Sequence, residues 1–152
     1  GIDLCGPSIG KNRAKHPEMT WICGDIEAAG ALGSFDLVSL IEMLQYVPIQ
    51  QTLEAAWRML NPGGRLVAIV PNAECPIVQR AAAHFDSNYA PPSAGELVSA
   101  LHGLTEVAHA RIRGLHFRQD QTLMPYVVSD WVEQPDWPAP PNRLQLVACK
   151  RA

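Results

Sequence analysis

The chain has 152 residues, a formal net charge of −3, 47% hydrophobic residues and 18% charged ones. This length suits one domain, and the apolar content excludes intrinsic disorder. No apolar run approaches the roughly 20 residues that cross a bilayer, and the acidic balance gives no basic field for nucleic acid. No secretory pattern opens the sequence. We therefore expect a cytoplasmic protein with neither a membrane nor a nucleic-acid partner.

The first half of the sequence alternates short apolar runs with helical patterns. The predicted strands are 1–4, 19–23, 35–41 and 66–70, and the predicted helices are 8–15 and 49–60. The third of these strands is almost continuously apolar, as expected when helices cover both faces of a sheet. In the second helix, Leu53, Ala56 and Trp57 recur at helical spacing. This alternation indicates parallel βαβ units in an open sheet.

The second half is less regular. Helices are predicted at 76–85 and 93–102, strands at 106–115 and 144–149, and a long loop rich in Pro and Trp at 116–142. Ser93 and Glu96 form an S-x-x-E capping box, which marks the start of a helix. A loop of this length is uncommon in a compact domain and is often functional. We expect one domain, with a cofactor half at 1–72 and a substrate half at 73–152.

The four cysteines lie far apart in the sequence, at Cys5, Cys23, Cys75 and Cys149. They match neither the spacing of zinc ligands nor that of redox pairs, so we predict no metal site. We expect them to be small buried hydrophobic residues in a reducing compartment.

Acidic residues end the first two predicted strands, at Asp3 and Asp25. In an open α/β sheet, ligands bind beyond the carboxyl ends of the strands. One acid there can accept hydrogen bonds from ribose hydroxyls, and an acid on the neighbouring strand can accept from an exocyclic amine. The pair suits an adenosine-type ligand. The same residues also suit plain turn or helix-cap roles, and spacing alone leaves both interpretations open.

Four segments carry a resemblance to a known family. They are Gly24-Asp25-Ile26-Glu27, Phe35-Asp36-Leu37-Val38, Glu42-Met43-Leu44-Gln45-Tyr46-Val47-Pro48 and Met59-Leu60-Asn61-Pro62-Gly63-Gly64-Arg65-Leu66-Val67. In this order they closely resemble class I S-adenosylmethionine (SAM)-dependent methyltransferases of the type 11/12 group, over residues 1 to about 72. The resemblance implies an enzyme with SAM as cofactor. It also implies a Rossmann-like α/β sheet that is mostly parallel, with an antiparallel C-terminal strand.

The resemblance assigns roles to individual residues. Asp3 corresponds to the acid that holds the ribose, and Asp25 to the acid that holds the adenine amine. The backbone of Ile26 would meet the adenine ring, and the end of the third strand would lie near the methionine part. The implied cofactor-binding residues are therefore Asp3, Leu4, Asp25, Ile26, Ile41 and Glu42.

The sequence departs from the family in one large way, because the first strand, its helix and the G-x-G-x-G loop are missing. Reading residues 2–7 as that first strand and loop leaves room for only one further strand before Phe35, where the family has two. We therefore expect the chain to begin at the family's second strand and to be a fragment. Since the missing strand is central in the family's sheet, unpaired strand edges are expected.

The substrate side is predicted more weakly. The third strand does not end in the N-P-P-Y type motif of amine-specific members, which disfavours nucleobase amino groups. We expect a small-molecule acceptor with an oxygen, carbon or nitrogen nucleophile. Candidate catalytic residues are Tyr46, where the family often has His, and His116, which begins the long loop. Candidate substrate-binding residues are Tyr46, Asn72, Tyr89 and Tyr126.

Two rival functions stay open at this point. A non-catalytic, methyltransferase-like interaction module is favoured by the missing glycine loop and opposed by the two retained acids. A nicotinamide-dependent oxidoreductase is weaker, because its phosphate-binding loop is missing as well. The oligomeric state is open too, with a homodimer as one option.

Overall fold

The computed structural model describes residues 1–85, 88–116 and 127–152. Tyr126, predicted to bind substrate, lies outside these described residues. The chain divides into two compact units, Gly1–Ser34 and Phe35–Ala152. No helix among the described residues is both long enough and apolar enough to cross a membrane.

The first unit is built on two short parallel strands. Its elements are β1 (Ile2–Asp3), α1 (Gly6–Lys15), β2 (Ile22–Cys23), α2 (Ile26–Ala29) and a 3₁₀ turn (Gly30–Leu32). Pro7 lies in the first turn of α1, where the missing N–H of proline costs no helical hydrogen bond. The guanidinium of Arg13 donates to the carbonyl oxygen of Trp21 at 2.7 Å. This bond ties the last turn of α1 to the segment that enters β2.

The second unit holds a five-stranded mixed sheet. Its strands are β3 (Phe35–Ile41), β4 (Leu60–Pro71), β5 (Val107–His116), β6 (Val127–Val128) and β7 (Arg143–Lys150). They are ordered β3-β4-β7-β5-β6, with β3 and β4 parallel and the other neighbours antiparallel. The predicted α/β architecture with an antiparallel C-terminal strand is confirmed. Within the described residues β1 pairs only with β2 and β3 only with β4, so each unit has the expected unpaired strand edge.

Within residues 35–85, 88–116 and 127–152, three helices accompany this sheet: α3 (Ile49–Arg58), α4 (Pro76–Ala82) and α5 (Ala94–His102). The capping box at the start of α5 is confirmed. The Ser93 hydroxyl accepts from the backbone N–H of Glu96 at 3.2 Å, and the Glu96 carboxylate accepts from the Ser93 N–H at 2.7 Å. Two of the N–H groups that a helix start leaves without partners are thereby satisfied.

The core lies where β4 and β7 place alternate apolar side chains on one face. The register sets Leu66, Ala68 and Val70 against Ala148, Leu146 and Leu144. All six side chains are buried. From α3, the predicted apolar face of Leu53, Ala56 and Trp57 is buried as well. The indole N–H of Trp57 donates to the carbonyl oxygen of Thr105 at 2.8 Å, which satisfies its one buried polar group.

The bounds of several strands and helices differ from those predicted. β4 begins at Leu60, so the predicted Pro-Gly-Gly stop lies inside the strand, and Gly63 takes a positive φ of 77° there. Part of the predicted loop 116–142 joins the sheet as β6 and as an antiparallel bridge between Ile112 and Val132. The four-residue α2 was not predicted, since so short an element shows no periodicity.

Candidate functional site

Asp3 and Asp25 lie at the carboxyl ends of neighbouring parallel strands. Asp3 ends β1 and stands opposite Cys23, which ends β2. The backbone N–H of Gly24 donates to the carbonyl oxygen of Asp3 at 3.1 Å, so the two strand ends are in direct contact. Both aspartate side chains are exposed. The structure therefore brings the two acids to one edge of the first unit.

In each carboxylate, one oxygen is held in place by a hydrogen bond from a nearby backbone N–H. Oδ1 of Asp3 accepts from the backbone N–H of Cys5 at 2.7 Å, and Oδ1 of Asp25 accepts from the N–H of Ala28 at 3.0 Å. The second bond caps α2. Oδ2 of each residue makes no hydrogen bond to the described part of the chain. The turn and cap roles are thus real, and they leave one oxygen of each acid available to a ligand.

The two apolar residues predicted beside these acids differ in burial. Leu4 directly follows Asp3 and is 72% exposed. Ile26 directly follows Asp25, begins α2 and is half-buried. Both side chains belong to the same edge of the first unit as the carboxylates they follow.

In the second unit, Ile41 and Glu42 mark the end of β3. Glu42 has a left-handed backbone with φ of 51°, unusual for a residue other than glycine. Its N–H donates to the carbonyl oxygen of Ile69 at 2.8 Å. Its Oε1 accepts from Nε of Arg143 at 2.6 Å. Sequence reasoning missed Arg143, which lies 101 residues away and is brought to Glu42 by the strand order.

Strand register gathers several candidates at one edge of the sheet. Ile41 pairs with Ile69 near the end of β4, and Arg143 pairs with both Pro71 and Leu115. The ends of β3, β4 and β5 therefore meet the start of β7. His116 lies at this edge, half-buried, but β4 and β7 separate its strand from β3. At about 4.8 Å between strands this is roughly 14 Å, so His116 and the end of β3 are not brought together.

Tyr46 and Tyr89, by contrast, are in contact. Their rings meet edge to face with centroids 5.5 Å apart, and Tyr89 stacks on Phe85 at 4.4 Å. We call Tyr46, Phe85 and Tyr89 the aromatic cluster. The backbone N–H of Ala90 donates to the carbonyl oxygen of Gln45 at 2.7 Å, which holds the two segments together. Phe85 was not predicted as a site residue, because nothing local distinguishes it from an ordinary residue at the end of the predicted helix 76–85.

The hydroxyl of Tyr89 is shifted from its ordinary acidity. Burial raises the pKa of the Tyr89 phenol, while the charge of Arg143 acts in the opposite direction. The hydroxyl therefore stays protonated at neutral pH and is a hydrogen-bond donor there. It is better suited to orient a ligand than to remove a proton from it.

Asn72 is buried and holds the chain itself. Its side-chain amide donates to the carbonyl oxygen of Pro141 at 3.0 Å, and its Oδ1 accepts from the N–H of Glu74 at 3.1 Å. These bonds join the end of β4 to the segment before β7. The structure therefore favours a structural role for Asn72 and does not support the predicted substrate contact.

The prediction of four buried cysteines is corrected for two of them. Cys75 and Cys149 are buried, but Cys5 and Cys23 are exposed. Cys5 is the residue directly before α1 and lies two residues after the end of β1. The Ser8 hydroxyl lies 3.1 Å from Sγ of Cys5, and this hydrogen bond lowers the pKa of the Cys5 thiol.

Alkylation with iodoacetamide should therefore modify Cys5 and spare Cys75 and Cys149 in the folded protein. The thiolate is the reactive form, so the rate at Cys5 should rise with pH through a midpoint below the ordinary thiol pKa. Peptide mass spectrometry over a pH series measures this rate. Ser8→Ala should move the midpoint upward, whereas Ser39→Ala on β3 should not. Equal midpoints in wild type and Ser8→Ala would contradict the assignment.

Comparisons with known proteins address the fold and the family. The sequence profile of the family described as "Methyltransferase domain" matches residues 1–68. The match covers 68 of the 152 residues, and it supports the predicted class I SAM-dependent methyltransferase, an enzyme with SAM as its cofactor. The shared fold confirms the predicted Rossmann-like α/β class. A search of curated proteins finds no match.

Solved methyltransferase structures share the fold at low sequence identity. A SAM-dependent methyltransferase of Thermotoga maritima, described as a possible histamine N-methyltransferase, is 15% identical with a TM-score of 0.78, over 99% of this chain and 72% of that one. A SAM-dependent methyltransferase of Archaeoglobus fulgidus is 13% identical with a TM-score of 0.73, over 99% and 75%. Magnesium protoporphyrin IX methyltransferase of Synechocystis, with bound S-adenosylhomocysteine (SAH), is 14% identical with a TM-score of 0.59, over 100% and 63%.

Proposed function

We propose that this methyltransferase transfers the methyl group of SAM to an oxygen, carbon or nitrogen atom of a small molecule. The observation that carries the proposal is the pair of exposed carboxylates, Asp3 and Asp25, on adjacent strand ends, each with one oxygen available. SAM supplies the electrophilic methyl on its sulfonium. The protein's part is to hold the cofactor and to align the acceptor with it.

The carboxylates fit the adenosine part of such a cofactor. Asp3 would accept from ribose hydroxyls through Oδ2, and Asp25 would accept from the adenine amine in the same way. Since Oδ1 of each is already bonded within the chain, binding costs little side-chain freedom. Leu4 and Ile26 add apolar surface beside the acids. The assignment of Ile41 and Glu42 to the methionine part is a prediction from the resemblance.

Two of the similar structures support a small-molecule acceptor. The Thermotoga protein is described with histamine and the Synechocystis protein with magnesium protoporphyrin IX. Nothing in the charge balance of this chain favours a polyanionic acceptor, since its net charge is −3. A homodimer and a cytoplasmic location stay predictions.

Calorimetric titration with SAH tests the cofactor, and tritium transfer tests the acceptor. The protein is incubated with [methyl-³H]SAM and a bacterial extract that has been split by ultrafiltration into small and large molecules. We expect saturable SAH binding and tritium in the fraction of small molecules. Label confined to the large molecules would refute the small-molecule acceptor. Failure to bind SAH at millimolar concentration would favour a non-catalytic interaction module instead.

A further inference from the structure

The aromatic cluster is placed beside the end of β3 by backbone bonds rather than by ring contact alone. Tyr46 ends the 3₁₀ turn that follows Glu42, and its N–H donates to the carbonyl oxygen of Met43 at 3.0 Å. The segment that carries Tyr89 is tied to this turn through the bond from Ala90 to Gln45. These bonds therefore hold Tyr46 and the segment of Tyr89 next to each other after the end of β3.

Two of the three rings have about half of their surface exposed to solvent. Tyr46 is 50% exposed and Phe85 is 53% exposed, and Ile41 on the adjacent strand end is also exposed. Exposed aromatic side chains gathered in one place are typical of ligand-binding surfaces. Their contacts are edge-to-face and stacked, the two arrangements in which aromatic rings attract one another. A further flat ring can join such a cluster by the same geometries.

Gln45, the residue before Tyr46, carries a polar group whose hydrogen bonding is incomplete. Oε1 of Gln45 is buried and has no hydrogen-bond partner among the described residues. Its amide nitrogen donates to the carbonyl oxygen of Glu42 at 2.9 Å, which holds the side chain against the end of β3. A buried acceptor without a donor is costly, and a ligand hydroxyl or N–H would satisfy it.

We propose that the aromatic cluster is the binding surface for the methyl acceptor and selects a flat aromatic or heteroaromatic ring that carries a hydroxyl or amino group. The ring packs against Tyr46 and Phe85. The Tyr89 hydroxyl donates to the polar group, and Oε1 of Gln45, which is covered in this structure, accepts from it once the ligand displaces that cover. This inference rests on the proposed methyl transfer, but it concerns the acceptor alone.

Ring selection is tested with 2-naphthol and its saturated counterpart, 2-decalol, in the SAH-saturated protein. The two probes share a hydroxyl and a two-ring skeleton, and only the first is flat. Calorimetric titration should show 2-naphthol binding about tenfold more tightly, as expected from two aromatic contacts. Equal affinities would overturn the proposal, and this comparison needs no variant.

Substitutions locate the site. Tyr46→Leu and Phe85→Leu keep an apolar side chain but remove the ring, so each should weaken 2-naphthol binding by about threefold to tenfold and leave 2-decalol unchanged. Phe35→Leu, at the opposite end of β3, is the matched control and should change neither affinity. Tyr89→Phe should weaken binding of both probes, because both use the hydroxyl. Unchanged discrimination in Tyr46→Leu and Phe85→Leu would overturn the assignment to this cluster.

SAH binding, measured on the same samples, separates this inference from the proposed function. If SAH binds and the wild-type protein does not distinguish the two probes, the ring selection is wrong and methyl transfer stands. If SAH does not bind and the probes are still distinguished in the protein alone, the methyl transfer is wrong and the aromatic site stands.

Discussion

Asp25→Asn is expected to weaken SAH binding by about tenfold to a hundredfold, with a similar loss for Asp3→Asn. Hydrogen bonds to a charged group contribute about 1.5–3 kcal/mol, which corresponds to this range of affinity. Asparagine keeps the Oδ1 acceptor that caps α2, and asparagine and aspartate are equally good caps. It replaces the second oxygen by an NH₂ group, which would meet the donor of the adenine amine. The substitution therefore removes the ligand contact and preserves the local structure.

The two substitutions together should cost at least about a hundredfold, since each acid contacts a different part of the ligand. Calorimetric titration with SAH measures the dissociation constants, and circular dichroism checks that the variants are folded. Asp36→Asn is the matched control. Asp36 is also exposed, but it lies near the start of β3, where it accepts from the amide of Asn61 at 2.8 Å. An affinity for SAH that is unchanged in Asp25→Asn would show that the acids do not hold the cofactor.

Leu146→Ala is expected to lower the free energy of unfolding by about 2–5 kcal/mol. Leu146 is 1% exposed and lies on β7, the middle strand of the five. Its register partners are Ala68 on β4 and Ile112 on β5. Because a small residue already stands on one side, the neighbours have little side chain with which to fill the cavity. The loss should therefore fall in the upper half of that range.

Urea denaturation followed by circular dichroism gives the unfolding free energy of each variant. Leu32→Ala makes the same chemical change at a residue that is 51% exposed, and it should shift stability by no more than about 0.5 kcal/mol. A small effect of Leu146→Ala would mean that the sheet of the second unit does not limit the stability that denaturation reports.

Much of the fold follows from patterns that are local in the sequence. The almost continuous apolar run at Phe35–Ile41 predicts β3 with both of its ends correct. The expected burial of both faces is wrong, because Leu37 and Ile41 are 59% and 52% exposed. The capping box at Ser93 and Glu96 predicts the start of α5, because its reciprocal hydrogen bonds join residues only three apart in the sequence. The proposed cofactor residues Asp3 and Asp25 could likewise be chosen from the sequence, because an acid that follows a strand is visible without knowing the tertiary structure.

Elements that lack periodicity escaped prediction. A strand of two residues such as β6 forms only because β5 offers it an edge, so its own sequence carries no signal. The Pro-Gly-Gly segment predicts a break and instead forms an irregular stretch inside β4, where the register with β3 shifts between Leu60 and Arg65. Its Gly63 N–H donates to the carbonyl oxygen of Arg151, a contact that no local pattern predicts. Burial of Asn72 and exposure of Cys5 were also missed, because composition states what a side chain prefers and not where the chain places it.

From the sequence alone came the class of protein, the alternation of strands and helices, and the two acids that would meet an adenosine. The tertiary structure alone decided what stands at the end of β3: the ion pair of Glu42 with Arg143 and the contact between Tyr46 and Tyr89. The reason is physical. Acids and caps act on neighbours along the chain, whereas this pair and these rings join residues brought together by strand order and register.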